Sequence, residues 1–255
     1  MKPGVPVAVV VLGAPGRMGT SLLRLLPSFV GLRLHAAVAA AGNPAVGRDS
    51  GELAGVAPNG IRVRADVEAA LEGAGLALDF STAAAAPSHV AACAGHRVPL
   101  LLGTTGLGPE MAAILAQAAQ RIPLLVTANT SLGVAVLQDL VRAAAAALGA
   151  GFDIQVRDAH QAAKLDAPSG TALALGAAAA SGGRLAAHRI GYASIRGGDV
   201  VGDHEVHFLG QGERLCLSHS ATDRSVFARG ALQSGSWLAG RPPGQYRMGD
   251  VLGEK

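Results

Sequence analysis

Short apolar runs alternate with alanine-rich segments of helical length throughout the first half of the chain. We predict strands over Val7–Leu12, Leu32–Val38, Leu76–Phe80, Leu100–Leu102 and Leu124–Thr127, and helices over Arg17–Leu26, Asp66–Glu72, Pro87–Ala94 and Pro109–Gln120. Strands that are apolar at every position are typical of a parallel sheet covered by helices on both faces. Right-handed crossovers between such strands give an α/β, doubly wound sheet of the Rossmann type.

The pattern changes after about residue 130, where polar and apolar residues begin to alternate along the strand-like segments. The predicted elements here are the helices Gly133–Leu148, Thr171–Ala180 and Val226–Leu238, and the strands Asp153–Asp158, Tyr192–Arg196, Asp203–Leu209 and Arg214–Ala221. Alternation is typical of an antiparallel or mixed sheet, so we predict a C-terminal α+β domain. The domains are then 1–129 and 130–238, with the Pro/Gly-containing tail 239–255 returning to the first.

Composition narrows the classes of partner. Half of the 255 residues are hydrophobic but only 3% are aromatic, so the core is built mainly of Ala, Val and Leu. The net charge is +3 without a run of Lys or Arg, whereas nucleic-acid binding needs clustered cations and stacking aromatics. The apolar run Val7–Leu12 is too short to cross a bilayer. We therefore expect neither a nucleic-acid nor a membrane partner.

The cysteines and histidines give no metal-site pattern. Cys93 and Cys216 lie far apart in the sequence, so they suggest neither a disulfide framework nor a zinc motif, and they favour a reducing, cytoplasmic setting. His204 and His207 have the spacing HxxH, but on a strand residues three apart point to opposite faces. The sequence therefore predicts no metal site.

A glycine-rich turn follows the first strand and opens the first helix, with the spacing GxxGxxG. Glycines at such a turn let the backbone approach a pyrophosphate, whose charge is met by free N–H groups at the helix N-terminus. The position between strand and helix favours a dinucleotide site over a plain connecting turn. The predicted cofactor-binding residues of this turn are Gly13, Ala14, Pro15, Gly16, Arg17 and Met18.

Two further loops follow the fourth and fifth strands, at the strand ends where doubly wound sheets bind ligands. Their hydroxyl and amide side chains could hydrogen-bond a nicotinamide, although each loop taken alone also suits an ordinary connection. The predicted cofactor-binding residues in these loops are Gly103, Thr104, Thr105, Thr127, Ala128, Asn129 and Thr130.

The end of the second strand bears on the choice between NADH and NADPH. Rossmann domains usually have an acidic residue there for the adenosine ribose, or an Arg nearby for a 2′-phosphate. Ala39 and Ala40 carry neither charge, so nothing repels NADPH and both cofactors are allowed. Arg48 either contacts that phosphate or is an ordinary surface residue.

The segment 158–171 combines several groups that could take part in chemistry. Ser169–Thr171 begin a predicted helix, where free N–H groups, the helix dipole and a hydroxyl form a site for an anion. Lys164 adds a cation, and His160 titrates near neutral pH and could donate a proton. The alternative for this segment alone is a capped helix start with a solvated Lys.

The glycine turn and the 158–171 segment occur with five other segments in a fixed order, and these are Asp79–Ser81, Gly103–Gly106, Ile195–His204, Gly212–Arg214 and Phe227–Ala231. The set resembles the 4-hydroxy-tetrahydrodipicolinate reductase (dihydrodipicolinate reductase) family over nearly the whole chain. The run Lys-x-Asp-Ala-Pro-Ser-Gly-Thr that starts at Lys164 is its most specific part. The resemblance implies an N-terminal dinucleotide domain and a C-terminal domain for substrate binding and tetramerisation, hence a homotetramer.

The resemblance also implies a reaction and roles for individual residues. Hydride from NADH or NADPH would reduce a small cyclic imine dicarboxylate with loss of water, as a step of lysine and diaminopimelate biosynthesis. His160 and Lys164 match the family's proton-donor positions, and Gly170 and Thr171 match its site for a substrate carboxylate. We count Ser169, which precedes that site, among the substrate-binding residues.

Three positions depart from the family's pattern. Gln161 stands where the family usually has a second His, and an amide binds a carboxylate without the added strength of a charge. We therefore expect Gln161 to bind substrate more weakly while turnover survives. Ala39 and Ala40 stand where Glu and Arg are frequent, and the stretch 181–191 is shorter than in many members.

Two other functions remain as alternatives. A paralogous reductase acting on another cyclic imine is supported by Gln161. A non-catalytic dinucleotide sensor would keep the fold and bind cofactor only, but the presence of both His160 and Lys164 argues against it.

Overall fold

The computed structural model describes residues 5–253, and the chain divides into two compact units. One unit contains the described residues up to Thr130 together with those from Phe227 onward, and the other is Ser131–Val226. The main difference from the sequence-based division is that residues 227–238 belong to the first unit.

The first unit is built on a six-stranded parallel sheet. Its strands are β1 (Val7–Leu12), β2 (Leu32–Val38), β3 (Leu76–Asp79), β4 (Leu100–Leu102), β5 (Pro123–Val126) and β10 (Gly244–Tyr246), in the order β10-β5-β4-β3-β1-β2. The chain runs from β1 out to β2 and then returns to the other side of β1, so the direction of winding reverses between β1 and β3. Ligands of open α/β sheets bind at such a switch point, beyond the carboxyl ends of the strands.

The helices of the first unit are α1 (Arg17–Leu25), α2 (Ser50–Leu53), α3 (Val67–Leu71), α4 (Ala86–His96), α5 (Met111–Ala119), α8 (Ser225–Leu238) and α9 (Met248–Leu252). Their packing buries the central strands of the sheet, so that Leu12, Leu78 and Leu101 are inaccessible to solvent, whereas Arg33 on the edge strand β2 is exposed. This accounts for the unbroken apolar runs in the sequence.

Helix α8 packs on the first sheet, although we assigned it to the second domain. A Cβ at Gly235 would lie 2.8 Å from Cδ2 of Leu76 and 2.9 Å from Cδ2 of Leu78, so the glycine lets α8 approach β3 closely. At the start of the helix, the Thr130 hydroxyl donates to the Phe227 carbonyl at 2.6 Å. The sequence shows that this helix has an apolar face but not which sheet covers it.

The second unit is a four-stranded mixed sheet with two helices. Its elements are α6 (Leu132–Leu148), β6 (Asp153–His160), α7 (Gly170–Gly183), β7 (Ile190–Arg196), β8 (Gly202–Leu209) and β9 (Arg214–Ala221). The order is β7-β6-β8-β9, with β6 and β7 parallel and the other pairs antiparallel. Val141, Leu175 and Phe208 belong to the core between the helices and one face of the sheet. Along β8, buried residues alternate with half-buried ones, which is typical of a sheet covered on one face.

Strand β6 continues two residues beyond its predicted end, so His160 is the last residue of a strand rather than part of a loop. The short elements α2, β10 and α9 were not predicted, because three to five residues show no clear periodicity.

One helical segment of the described chain, Leu132–Gly151, is long and apolar enough to cross a membrane by length and composition. Its residues Leu137, Val141 and Ala145 lie in the hydrophobic core of the second unit. One face of this segment is therefore packed within the second unit, while Val136 and Leu140 on the same helix are exposed.

Candidate active site

The glycine turn lies at the switch point of the first sheet, directly after β1. Gly13 has a φ of +80°, and a Cβ there would lie 2.6 Å from the carbonyl oxygen of Phe80, which follows β3. A Cβ at Gly19 would overlap the carbonyl oxygen of Gly13. The turn can therefore be this tight only with glycines at both positions.

Helix α1 begins at this turn with its first N–H groups free of any side-chain cap. Its N-cap residue is Gly16, in extended conformation, and no side chain caps the helix by accepting from its first N–H groups. No acidic residue lies in the first turn either, and Arg17 is exposed there. Uncapped N–H groups and the positive end of the helix dipole suit a phosphate. This tight turn, with no side-chain cap on the helix that follows, therefore fits the pyrophosphate of a dinucleotide.

A cavity of about 510 Å³ opens beside the turn, between the carboxyl ends of β1, β2 and β3. Ala39 and Ala40 line it, as expected for the residues that would face the adenosine ribose. Among the described residues that line this cavity, none is a carboxylate, a Lys or an Arg. Arg48 is exposed and does not line the cavity.

A buried carboxylate ties together the loops that follow β3 and β4. Asp79 accepts hydrogen bonds from the backbone N–H of Ser81 at 2.9 Å and from the Thr104 hydroxyl at 3.4 Å. Nδ1 of His89, on α4, lies 2.9 Å from the second carboxylate oxygen. The predicted cofactor residue Thr104 is therefore buried and held by Asp79, whereas Thr105 beside it is exposed. Sequence analysis assigned no role to Asp79 or His89.

The loop after β5 is folded by its own hydroxyl groups. The Thr127 hydroxyl donates to the Asn129 carbonyl at 2.7 Å and accepts from the Asn129 N–H at 3.2 Å. The Thr130 side chain is buried and its hydroxyl is bonded to Phe227, while Asn129 is half-buried. Of these predicted cofactor residues, Ala128 is the most open to solvent.

In the second unit, His160 is held by a buried carboxylate on its own strand. Nδ1 of His160 lies 2.9 Å from an oxygen of Asp158, which is 1% exposed. Asp158 also accepts from the Ser194 hydroxyl at 2.6 Å and pairs with the Arg196 guanidinium at 3.0 Å. A Cβ at Gly202 would lie 3.2 Å from Nε2 of His160, so the glycine leaves room for the ring.

Arg196 also ties the loop that follows β6 to the sheet. Its guanidinium donates to the Asp166 carbonyl at 2.6 Å while it contacts Asp158. The Asp166 carboxylate in turn pairs with Nζ of Lys164 at 2.7 Å and 2.9 Å. The predicted cation of the loop is therefore already paired, and a substrate carboxylate must compete with Asp166 for Lys164.

The start of α7 lies at the other end of this loop. The Ser169 hydroxyl accepts from the Ala172 N–H at 3.1 Å, which makes Ser169 the N-cap of the helix. The same oxygen lies 3.3 Å from Nε2 of the buried His204. Ser169 is 2% exposed, whereas Gly170 is exposed and Thr171 half-buried. The two residues predicted to bind a carboxylate through their N–H groups thus face more open space than the Ser beside them.

The electrostatics around His160 favour a neutral ring in the free protein. Burial lowers the pKa of His160, the hydrogen bond to Asp158 opposes this, and the charges of Lys164 and Arg196 lower it further. The ring of His204 lies edge-on to that of His160, with centroids 5.1 Å apart, and burial lowers the pKa of His204 to about 4. Both imidazole rings are therefore uncharged at neutral pH in the free protein. An anion bound nearby would favour the charged form of the ring.

The surroundings of Asp158, unlike those of the two rings, favour its charged form. Burial raises the pKa of its carboxyl, but the Ser194 hydroxyl, the Arg196 charge and the His160 ring together hold it below the usual range. Asp158 is therefore a stable anion beneath His160.

The structure gathers the predicted substrate-site residues His160, Gln161, Lys164 and Ser169–Thr171 within one strand end, one loop and one helix start of the second unit. It gathers the predicted cofactor-binding residues at the carboxyl ends of β1, β4 and β5 in the first unit. Asp158, Arg196 and His204 were missed as site residues. Asp158 is the first residue of the segment 158–171 and Arg196 lies in the segment Ile195–His204, and their opposite charges are the one signal that could have paired them.

A dehydrogenase or reductase that uses a nicotinamide cofactor needs a sheet that binds the dinucleotide and a side chain that donates or accepts a proton. The first unit provides the sheet, and the second provides a His on a carboxylate. The fold and the site thus define an NAD(P)H-dependent oxidoreductase.

Comparison with known proteins identifies the family of oxidoreductases to which the chain belongs. Residues 7–130 match the family described as "Dihydrodipicolinate reductase, N-terminus", and residues 133–252 match "Dihydrodipicolinate reductase, C-terminus". The chain belongs to the dihydrodipicolinate reductase family, whose members use NADH or NADPH. This confirms the resemblance drawn from the sequence segments.

Relatives and solved structures agree with this membership. The 4-hydroxy-tetrahydrodipicolinate reductase of Anaeromyxobacter dehalogenans strain 2CP-1 is 45% identical, over 96% of this chain and 97% of the relative. The protein of that name from Thiobacillus denitrificans is 43% identical, over 98% and 99%. Dipicolinate-bound dihydrodipicolinate reductase from Paenisporosarcina sp. TG-14 has the same fold, with a TM-score of 0.77 at 19% identity, over 95% of this chain and 98% of that one.

Proposed function

We propose that the chain reduces 4-hydroxy-tetrahydrodipicolinate to tetrahydrodipicolinate with NADH or NADPH, releasing water, in lysine and diaminopimelate biosynthesis. In this proposal His160 delivers the proton. Lys164 and the N–H groups of Gly170 and Thr171 hold the substrate carboxylates. Full-length relatives at 43–45% identity that carry this enzyme's name support the choice of substrate.

The observation that carries the proposal is the bond between His160 and Asp158. Because Nδ1 lies 2.9 Å from a carboxylate that stays ionised, Nδ1 keeps its hydrogen and Nε2 is the nitrogen that exchanges a proton. In the free protein burial lowers the pKa of His160. A substrate dianion held nearby favours the charged ring and raises this pKa. The proton is therefore bound to Nε2 mainly when substrate is present.

The overall reaction balances with one proton from this ring. The bound dinucleotide supplies the hydride. The substrate gains that hydride and the proton from His160, and its hydroxyl group leaves with one hydrogen as water. Solvent then reprotonates the ring, with Asp158 stabilising the imidazolium.

Lys164 supplies substrate affinity and charge stabilisation in this proposal. Its pairing with Asp166 holds the ammonium group in place before substrate binds. Asp166 is more than half exposed, so water can solvate its carboxylate once a substrate carboxylate replaces it on Lys164. Gln161 is half-buried beside His160 and adds hydrogen bonds without charge.

We place the protein in the cytoplasm as a homotetramer that binds a small dicarboxylate. Two unpaired cysteines support a reducing compartment, and the family resemblance supports the tetramer. Light scattering of the purified protein tests the oligomeric state directly.

The test of the function is loss of nicotinamide absorbance when freshly generated 4-hydroxy-tetrahydrodipicolinate is added, with NADH and NADPH in parallel. Lys164→Ala should lower kcat/KM by about 100-fold or more and leave the cofactor Kd unchanged, because general-acid and charge effects have this size. Leu165→Ala is the matched control, since this neighbouring side chain is 97% exposed and should have no effect.

Two outcomes would argue against the proposal. Cofactor binding without oxidation would shift the assignment to another cyclic imine, which is the alternative that Gln161 favours. Equal losses in kcat/KM and cofactor affinity for Lys164→Ala would indicate a structural role for this residue.

A further inference from the structure

Two histidines of the second unit each contact the serine that caps a helix. Nε2 of His204, on β8, lies 3.3 Å from the hydroxyl oxygen of Ser169 at the start of α7. Nε2 of His219, on β9, lies 3.4 Å from the hydroxyl oxygen of Ser131 at the start of α6. The two histidines are register partners on adjacent strands. The two pairs therefore repeat one arrangement, but of these helices only α7 begins at the residues proposed to bind a substrate carboxylate.

The hydroxyl oxygen of Ser169 already has a partner within its own helix. It accepts a hydrogen bond from the Ala172 N–H at 3.1 Å. A hydroxyl group can accept two hydrogen bonds and donate one, so the contact with His204 can run in either direction. The direction of this contact decides whether the hydroxyl hydrogen is used on the ring or stays available for a ligand.

The surroundings of His204 decide that direction. The ring carries one N–H group at neutral pH, because burial lowers the pKa of His204 to about 4. Within the part of the chain that the structure describes, nothing hydrogen-bonds Nδ1 of His204, which is buried. A hydrogen on Nδ1 would be a buried donor without an acceptor, and buried N–H groups in proteins are left unpaired less often than buried acceptors. The hydrogen is therefore on Nε2, and His204 donates to Ser169.

This direction leaves the Ser169 hydroxyl hydrogen available to a ligand. The oxygen accepts from Ala172 and from His204, so its own hydrogen points away from both. An anion held by the N–H groups of Gly170 and Thr171 lies next to this hydroxyl, because Ser169 is the N-cap of the same helix. The hydroxyl can then add a charge-assisted hydrogen bond to those of the backbone.

The ring of His204 is itself held firmly in place. It is 4% exposed, and it lies edge-on to the ring of His160 with the centroids 5.1 Å apart. His204 is also the register partner of Asp158, the carboxylate that bonds His160. One ring therefore contacts both the proposed proton donor and the serine of the proposed carboxylate site.

We propose that His204 is a positioning residue for the substrate, whose Nε2–H holds the Ser169 hydroxyl so that its hydrogen points to a carboxylate bound at the start of α7. This inference rests on the proposed function for the place of that carboxylate. Sequence analysis gave His204 no role, because it follows Ser169 by 35 residues and no motif relates the two.

The test uses pyridine-2,6-dicarboxylate, the aromatic counterpart of the proposed substrate. Because it is aromatic, the bound cofactor does not reduce it, and its Kd reports carboxylate binding separately from hydride transfer. Calorimetry on the full-length protein saturated with NADPH measures this Kd. His204→Leu should raise it by about tenfold, because a hydrogen bond to a charged group loses its support. In His204→Gln an amide nitrogen can replace Nε2, so the Kd should stay within about twofold of that of the unmodified protein.

His219→Leu is the matched control. It removes the same kind of contact between a histidine and a capping serine, at a helix start that is not proposed to bind the substrate. It should lower the temperature of thermal unfolding about as much as His204→Leu does and leave the Kd of the dicarboxylate unchanged. An equal rise in Kd for both variants would mean that loosening of the unit weakens binding, which overturns the proposal.

A double-variant cycle shows whether His204 acts through Ser169. Ser169→Gly removes the hydroxyl but keeps a residue that is tolerated at a helix N-cap. In the Ser169→Gly background, His204→Leu should cause no further rise in Kd, because the group through which it acts is gone. Losses that add in full would overturn the proposal.

Nitrogen-15 NMR of the free, unmodified protein tests the tautomer without substrate or cofactor. The expected spectrum shows the hydrogen of His204 on Nε2, and a hydrogen on Nδ1 instead would overturn the proposal while leaving the proposed function intact. An unchanged Kd for His204→Leu would have the same meaning. Failure of the unmodified protein to bind the dicarboxylate at all would instead overturn the proposed substrate site, and this inference with it.

Discussion

The two candidate sites of this chain differ in the atoms that form them: backbone atoms form one, and charged side chains form the other. The glycine turn after β1 presents backbone atoms and an uncapped helix start, and its cavity is lined, among the described residues, without a carboxylate, Lys or Arg. The segment from Asp158 to Ser169 is built from side chains, and its charged groups are paired with one another. The first site therefore depends on the absence of side-chain atoms, and the second depends on a particular set of them.

This difference predicts how each site responds to mutation. A backbone site fails when an added atom prevents close approach, and it is nearly indifferent to charge changes elsewhere. A network of paired charges fails when one partner is removed, because the others keep their positions but lose their electrostatic balance.

The largest effect is expected for Gly13→Ala. The new Cβ would meet the Phe80 carbonyl at 2.6 Å, so the turn must open. We expect the cofactor Kd to rise by about 100-fold or more, which corresponds to about 2.7 kcal/mol. Fluorescence titration with NADH and NADPH measures this.

Gly42→Ala is the matched control for the turn. Gly42 has a φ of +81°, almost the same as Gly13, but a Cβ added there would have nothing within 4 Å of it. Its substitution should therefore cost only the left-handed backbone strain of about 1 kcal/mol in stability, with the cofactor Kd unchanged. Equal effects of the two substitutions would show that backbone strain, rather than close approach, makes the turn sensitive.

The next effect is expected for Asp158→Asn in the charged network. The amide cannot stabilise protonated His160 as the carboxylate does, so we expect kcat to fall by about 10–100-fold near neutral pH. His160 donates only when protonated, that is, below its pKa. Because Asp158 opposes the lowering of that pKa by burial, its loss should move the alkaline limb of the kcat profile to lower pH.

Asp153→Asn provides the comparison for this pH profile. Asp153 is on the same strand, but its side chain is 78% exposed and lies at the far end of β6 from His160. Its substitution should leave the profile unchanged. A fall in kcat for Asp158→Asn without movement of the alkaline limb would mean that Asp158 supports the fold rather than the ring.

A smaller effect is expected where charge is added to the uncharged cavity. Ala40 is exposed at the end of β2 and lines the cavity. Ala40→Arg should raise the preference for NADPH by about tenfold through a charge-assisted bond to the 2′-phosphate, and Ala40→Glu should shift it toward NADH. The ratio of kcat/KM for the two cofactors measures both. Shifts in the same direction would show that residue 40 does not face the ribose.

The smallest effect is expected for Gln161→His. A second His beside His160 can bind a substrate carboxylate as a cation, so KM should fall by a few-fold with little change in kcat. Ala163→His, at an exposed position of the same loop, should not lower KM. An unchanged KM for Gln161→His would mean that Gln161 already binds as well as a His.

The first sheet could be predicted from the sequence almost strand by strand, because its central strands are buried on both faces and are therefore almost continuously apolar, whereas the edge strand β2 carries the exposed Arg33. The position of α8 could not, since its apolar face suits either sheet and only the contact of Gly235 with β3 decides between them. Composition and periodicity describe a surface but not its partner.

The candidate site shows the same difference between features that are local in sequence and features that depend on contacts between distant elements. The glycine turn and the segment 158–171 are each local in sequence, so the sequence alone could propose candidate residues in them. Asp158 and Arg196 are separated by a helix and a strand and meet only because β6 and β7 pair in parallel.

The hydrogen bond between Thr130 and Phe227 has a consequence for the order in which the chain can fold during synthesis. It joins the point where the chain leaves the first unit to the point where it re-enters it. During translation, the whole of the second unit is therefore synthesised before α8, β10 and α9. These three elements complete the first unit. The unit that begins the chain is thus the last to be completed, and premature termination near residue 240 would leave β5 as an unpaired sheet edge.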